Sequence, residues 1–181
     1  MTMALVGHSA PGFSMPAVYP DGETRPVTLE QYRGQWLILF FYPHDFTFVC
    51  PTEIVALSEA QGQFQQRDAQ IVGVSTDSPY VHKAWMQQNV AQGGIGRLTY
   101  PLASDWTHEV SRRYQVYVPE EGAAYRGLFI INPDAMVEYE VVHNLNVGRS
   151  VDEVLRVLDA IQSGGLCPVN WHAGEPLLTA H

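Results

Sequence analysis

The sequence predicts an α/β layer fold, in which helices flank a mixed central sheet and an irregular tail follows. Two apolar runs, at 36–42 and 70–75, have the length and composition of strands buried on both faces. Segments with apolar residues at helical spacing alternate with the predicted strands, which is typical of this architecture. A chain of 181 residues is long enough for one domain of this kind.

The remaining elements follow from periodicity and turn residues. The proline-containing segment 11–26 is predicted to form loops and short edge strands. In chain order we then expect a helix near 51–66, a helix over 80–92, a short strand at 98–103, a helix near 106–115, strands near 124–132 and 136–143, and an amphipathic helix over 151–161. A tight Asn132-Pro133-Asp134 turn joins the last two strands, which should therefore be antiparallel. We expect one domain at 1–162 and a Gly- and Pro-containing tail at 163–181.

Charge and composition exclude several classes of protein. The net charge of -9 argues against nucleic acid as a partner, because phosphates need clustered Lys and Arg. The longest apolar run has seven residues, whereas a bilayer needs about 20, so no membrane partner is expected. The first ten residues lack a secretory pattern, and two cysteines are too few for a secreted disulfide scaffold. A cytoplasmic location is the expectation.

Cys50 is the candidate nucleophile. It follows the first buried strand, in the opening turn of the next helix, where backbone N–H groups and the helix dipole favour a thiolate. The alternative is an inert, small apolar residue, but this junction is where open α/β sheets bind ligands. Thr47 is placed to cap the helix or to bond an oxygen-rich substrate, and Pro43 to form a rigid turn. His44 is a weaker candidate as a general base, because a preformed thiolate needs none.

Four motifs together resemble the peroxiredoxins, and most closely the typical two-cysteine group that includes the peroxidase component of alkyl hydroperoxide reductase. In family order they are Pro43-x-x-x-Thr47-x-x-Cys50, Ala124-Tyr-Arg-Gly-Leu-Phe-Ile-Ile-Asn-Pro133, Val147-Gly-Arg-Ser-Val-Asp-Glu153 and Gly165-Leu-Cys-Pro-Val-Asn-Trp171. They span nearly the whole chain, so the combination is far more specific than any one of them.

The resemblance implies a thioredoxin-like fold and thiol-dependent reduction of peroxides. It implies these site residues: Cys50 as peroxidatic cysteine, Cys167 as resolving cysteine, Arg126 as active-site arginine, Pro43 and Thr47 framing the thiolate, and Glu53 with Arg149 as a supporting pair. It further implies that Cys167 of one subunit pairs with Cys50 of another in a dimer. It also implies association through the edge strand 136–143, with a decamer as a further expectation.

The same chemistry is consistent with the residues themselves. When a thiolate attacks a peroxide oxygen, negative charge develops on the leaving oxygen, and a fixed guanidinium stabilises it. Arg126 begins a predicted buried strand and suits this role; the alternative is a surface cation at a strand edge. The resulting sulfenic acid condenses with a thiol. Cys167 lies 117 positions away in the tail and is the one other cysteine, although it could also be a free surface thiol.

No cofactor is expected. The chain has no G-x-G-x-x-G, no P-loop and no C-x-x-C, so its reductant must be external. The resemblance implies a thioredoxin-like or flavoprotein disulfide reductase. His82, His143 and His172 lack ligand spacing with either cysteine, so no metal is expected.

Two departures from the family pattern have consequences. Gly93-Gly-Ile-Gly96 resembles a loop of peroxide-sensitive members, but the tail lacks the Tyr-Phe helix of those members, so resistance to overoxidation is expected. Asn146 stands where the family often has proline. The alternative function is a non-enzymatic holdase on the same fold, because some members of the family form chaperone-like oligomers.

Overall fold

A computed structural model describes residues 4–179 and divides the chain into two compact units, with the boundary between Arg149 and Ser150. Among the described residues, the first unit contains all the strands and four helices. Its elements are β1 (Ser14–Val18), β2 (Thr24–Thr28), β3 (Trp36–Phe41), α1 (Cys50–Glu59), α2 (Gln61–Gln65), β4 (Ala69–Ser75), α3 (Pro79–Gln87), β5 (Leu102–Ser104), α4 (Glu109–Arg113), β6 (Tyr117–Val118), β7 (Ala123–Ala124), β8 (Arg126–Ile131) and β9 (Val137–His143).

Seven of these strands form one mixed sheet in the order β2-β1-β5-β4-β3-β8-β9. β3 pairs in parallel with β4 and β4 with β5, whereas β3–β8 and β8–β9 are antiparallel. β3 lies inside the sheet, and its residues from Leu37 to Phe41 have no exposed surface. β9 lies at one edge. The predicted mixed α/β fold is therefore confirmed.

Several predicted boundaries are wrong for local reasons. The helix expected near 51–66 is interrupted at Ala60, where ψ is 0°, and resumes as the short α2. The helix expected near 106–115 starts only at Glu109, because buried Asp105 accepts the N–H groups of Val110 and Ser111 and fixes the start. The strand expected at 98–103 begins at Leu102, directly after Pro101, which has no N–H for a ladder.

The helix expected over 80–92 also ends early. α3 stops at Gln87, and a short 3-10 turn over Val90–Gln92 follows it. Gly93 then adopts φ +84°, a left-handed conformation that favours glycine and ends the turn.

The second unit consists of α5 (Val151–Ser163) and the tail. Ser150 caps α5 by accepting the N–H of Glu153, and Gly164 ends it in the left-handed conformation. In the tail, Leu166 and Leu178 form an isolated antiparallel bridge. Within residues 4–179, no helix has the length and apolar character needed to cross a bilayer.

Candidate active site

Cys50 is the first residue of α1, and the turn that precedes it begins where β3 ends at Phe41. Its side chain is fully buried. Pro51 occupies the first turn, where its missing N–H has no intrahelical partner to lose. The prediction that this cysteine lies at a helix N-terminus is confirmed.

The prediction that Thr47 caps α1 is wrong. Val49 holds the N-cap position, which leaves Thr47 two residues too early in the chain to reach the first-turn N–H groups. The Thr47 hydroxyl instead donates to the carbonyl oxygen of His44 at 2.9 Å. That bond closes the turn between β3 and α1, in which Pro43 is buried. The His44 ring points to Asp77, with 4.0 Å between Nδ1 and Oδ2.

Arg126 lies beside the sulfur. Its Nη1 is 3.3 Å from Cys50 Sγ and 2.7 Å from Glu53 Oε2, and its Nε donates to the Leu145 carbonyl at 2.8 Å. Only 2% of Arg126 is exposed, so the alternative of a surface cation is wrong. A buried guanidinium within hydrogen-bond distance of sulfur stabilises negative charge there more strongly than it would in water.

Glu53 lies between two guanidinium groups. Its Oε1 accepts from the Arg149 backbone N at 2.7 Å and from Arg149 Nε at 2.8 Å, and its Oε2 accepts from Arg149 Nη2 at 3.1 Å as well as from Arg126. Burial alone would raise the pKa of Glu53. The charge and hydrogen bonds of Arg149, together with the charge of Arg126, outweigh burial and hold that pKa below its ordinary value.

Arg149 connects this cluster to the sheet. Its Nη1 donates to the Phe41 carbonyl at 2.8 Å and to the Gly127 carbonyl at 2.6 Å. The last residues of β3 and β8 that pair directly at this end are Phe40 and Leu128, which are the neighbours of Phe41 and Gly127. Arg149 therefore bridges the two strands where their direct pairing stops. Burial lowers the pKa of Arg149 and Glu53 opposes the shift, but an arginine stays charged throughout the working pH range.

Cys167 belongs to the second unit. Its Sγ lies 3.3 Å from Ser163 Oγ and 3.6 Å from the Ala160 carbonyl oxygen, at the C-terminal end of α5. Both cysteines are free thiols. The structure thus joins Cys50, Glu53, Arg126 and Arg149 by direct contacts and places Pro43 and Thr47 in the adjoining turn.

Sequence reasoning missed the anchor of that turn. Asp45 Oδ1 accepts from the Tyr42 hydroxyl at 2.8 Å, and its Oδ2 lies 2.7 Å from Nδ1 of the fully buried His82. Asp45 and His82 are 37 positions apart in the chain, and no rule of sequence spacing predicts that they pair. Between residues 4 and 179, no three His, Cys, Asp or Glu side chains come together as a metal ion would require.

Comparison with known proteins identifies the family. The AhpC/TSA family matches residues 6–140. The chain belongs to this family. As a peroxiredoxin it is 53% identical over 172 residues to a putative peroxiredoxin in the rubredoxin operon of Clostridium pasteurianum, covering 94% of this chain and 97% of that one. It is 46% identical to a thioredoxin peroxidase of Echinococcus granulosus, covering 95% and 91%.

Solved structures agree with this assignment. The reduced 2-Cys peroxiredoxin of Plasmodium vivax superposes with a TM-score of 0.94 at 41% identity, covering 97% of this chain and 93% of that one. AhpC of Enterococcus faecalis superposes with a TM-score of 0.85 at 34% identity, covering 92% and 100%. The resemblance seen in the four sequence motifs, including the thioredoxin-like fold that it implied, is confirmed.

Proposed function

We propose that this peroxiredoxin reduces hydrogen peroxide and organic hydroperoxides at Cys50. The observation that carries the proposal is the 3.3 Å contact between Arg126 Nη1 and a buried sulfur at the N-terminus of a helix. The thiolate attacks one peroxide oxygen and the O–O bond breaks. The sulfur becomes a sulfenic acid, and the other oxygen leaves as water or an alcohol after taking up a proton.

Each neighbouring residue has a proposed part in this step. Arg126 stabilises the charge that develops on the leaving oxygen, because its guanidinium is held in place before the reaction. Glu53 and Arg149 hold that guanidinium, and Pro43 shields the sulfur from water. Thr47 positions the peroxide: its hydroxyl hydrogen goes to His44, so its oxygen lone pairs are available to accept from a hydroperoxide.

The oxidised sulfur must become exposed before a second thiol can attack it, so the turn before α1 has to move after the oxidation step, since Cys50 has no exposed surface. The turn has outward-facing side chains at Phe46, which is 51% exposed, and at Phe48, which is 95% exposed. Phe46 also adopts φ +56°, which costs free energy in a bulky residue. We therefore place local unfolding over 46–53 in the proposed cycle.

The second step uses Cys167. Its thiol condenses with the Cys50 sulfenic acid, forming the S–S bond and releasing water. The partner cysteine comes from the other subunit of a homodimer formed through the β9 edge strand, and decamers are built from such dimers. An external dithiol then reduces the disulfide. A thioredoxin-like protein is the favoured donor, because a relative is named a thioredoxin peroxidase, and a flavoprotein disulfide reductase is the other candidate. We place the cycle in the cytoplasm, where dithiol reductants are kept reduced.

Two cysteine variants test this cycle. With dithiothreitol as the donor, wild type should consume hydrogen peroxide and Cys50→Ser should not. Cys167→Ser should still form the sulfenic acid but should lose the disulfide-linked dimer on a non-reducing gel. Full peroxide consumption by Cys50→Ser would reject the proposed site. A holdase without peroxidase activity would instead prevent aggregation of a client protein equally well in wild type and in Cys50→Ser.

A further inference from the structure

The peptide group between Gly148 and Arg149 is fixed at both ends. Its carbonyl oxygen lies 3.3 Å from His143 Nδ1, and its N–H donates to Glu53 Oε1 at 2.7 Å. A carbonyl oxygen only accepts, so His143 Nδ1 carries the hydrogen. A donor on the carbonyl polarises the peptide and strengthens the bond that its N–H makes to the carboxylate.

The same loop orients Arg126. It begins at His143, the last residue of β9, which pairs with Arg126 across the β8–β9 ladder. It then supplies the Leu145 carbonyl that accepts from Arg126 Nε at 2.8 Å. The loop therefore touches the guanidinium directly through residue 145 and indirectly through Glu53.

The loop also lies against the first turn of α1. A methyl group built on Gly148 would lie 3.5 Å from Val49 Cγ1 and 3.7 Å from Glu53 Cγ. Val49 immediately precedes Cys50. A shift of the Gly148 backbone would therefore displace the helix turn that carries the sulfur and the carboxylate that holds Arg126.

Two hydrogen bonds within the loop involve Asn144. Asn144 accepts from the Val147 N–H at 3.1 Å and, through its side chain, from the Leu145 N–H at 2.8 Å. Asn146 is exposed and provides none of the backbone restriction of a proline. The His143 bond to Gly148 is the contact that closes the loop across its full span.

We infer that His143 is a positioning residue for the peroxidase reaction: by closing the 143–148 loop, it holds Arg126 and Glu53 in the arrangement that serves Cys50. This inference rests on the proposed function. His143 does not touch the sulfur and exchanges no proton with it. His143 contributes the N–H donor at Nδ1. A side chain that carries an N–H at the same distance from the backbone should therefore be able to take its place.

His143→Leu and His143→Asn form a matched pair. Both side chains branch at Cγ, but only asparagine offers an N–H at the δ position. The bond is at the long end of the hydrogen-bond range, so its loss should slow the oxidation of Cys50 by hydrogen peroxide about three- to fivefold in the Leu variant. The Asn variant should recover most of the wild-type rate constant. The rate at which dithiothreitol reduces the disulfide should be equal in all three proteins, which a general loss of structure would not allow.

His8→Leu, which replaces an exposed histidine on another part of the first unit, serves as the control and should match wild type. Alkylation of Cys50 by iodoacetamide in a Cys167→Ser background gives a readout that does not depend on peroxidase activity. If wild type failed to consume peroxide, the proposed function would be rejected. The alkylation rates would still show whether His143 positions the residues around Cys50. The role of His143 would be overturned if the Leu variant and wild type had equal rates of alkylation and of oxidation. It would also be overturned if the Asn variant were as slow as the Leu variant.

Discussion

Replacing Arg126 with methionine is the most direct test of the proposed chemistry. At an effective dielectric constant of about 20, unit charges separated by the 3.3 Å between Nη1 and Sγ attract by ~5 kcal/mol. An attraction of this order would act on the negative charge that develops on the reacting atoms. Loss of one preorganised donor of this kind costs about 100- to 1000-fold in rate, or ~3–4 kcal/mol. We therefore expect the rate constant for oxidation of Cys50 to fall by about that factor.

The fold should survive this substitution. Glu53 would keep three hydrogen bonds from Arg149, namely those from N, Nε and Nη2, so the carboxylate would not be left unpaired. Methionine also fills much of the volume of an arginine stem. Arg126→Lys should be intermediate, because it keeps the charge but cannot reach Sγ, Glu53 and Leu145 with one rigid fork.

Stopped-flow measurement of Cys50 oxidation against peroxide concentration gives the rate constant. Arg33→Met is the matched control, since Arg33 is half-exposed and makes its contacts away from Cys50. Thermal unfolding of each variant checks that it is folded. A folded Arg126→Met protein whose rate constant stays within about tenfold of wild type would refute the argument, because that loss is below the range for a preorganised donor.

Three further predictions follow from the site and the tail. Folding lowers the pKa of Glu53, so the stability that its carboxylate contributes is present above the ordinary pKa and is lost as the pH falls through the pKa of the folded protein. Glu53→Gln should therefore flatten the acid dependence of the free energy of unfolding. Urea melts in which the variant and wild type lose stability equally at low pH would contradict this prediction. Limited proteolysis should cut 46–53 and the tail faster in the oxidised than in the reduced protein, and equal cleavage of the two states would remove local unfolding from the cycle. Mass spectrometry during turnover should show little sulfinic acid on Cys50, because residues 168–181 contain neither Tyr nor Phe. Rapid sulfinic acid formation would overturn this expectation.

Local patterns were sufficient to predict the central fold. The run at 36–42 is apolar on both faces, and the structure places it inside the sheet as β3. The position of Cys50 follows from the same pattern, because a buried strand that ends at a Pro-containing turn leads directly into a helix start. The edge position of β9 also agrees with its alternation of apolar and charged residues.

Contacts between distant positions could not be predicted in this way. Glu53 and Arg149 are separated by 96 positions, and only the family resemblance brought them together. Asp45 and His82 pair in the interior without any signal in their spacing. The error at Thr47 has a different origin: a helix boundary is uncertain by a few residues, and a two-residue shift is enough to remove a cap.

The charges buried around Cys50 connect these observations. Arg126 and Arg149 contribute two positive charges and Glu53 one negative charge, so the group carries a net positive charge within a chain whose overall charge is -9. Negative charge that develops on the reacting atoms beside Arg126 offsets this excess of positive charge. Buried ions are costly unless each is paired, so the arrangement favours the transition state in which that charge develops. On this argument Glu53→Gln, which adds to the excess of positive charge, should slow peroxide reduction only by misaligning Arg126, and should not abolish the alkylation of Cys50.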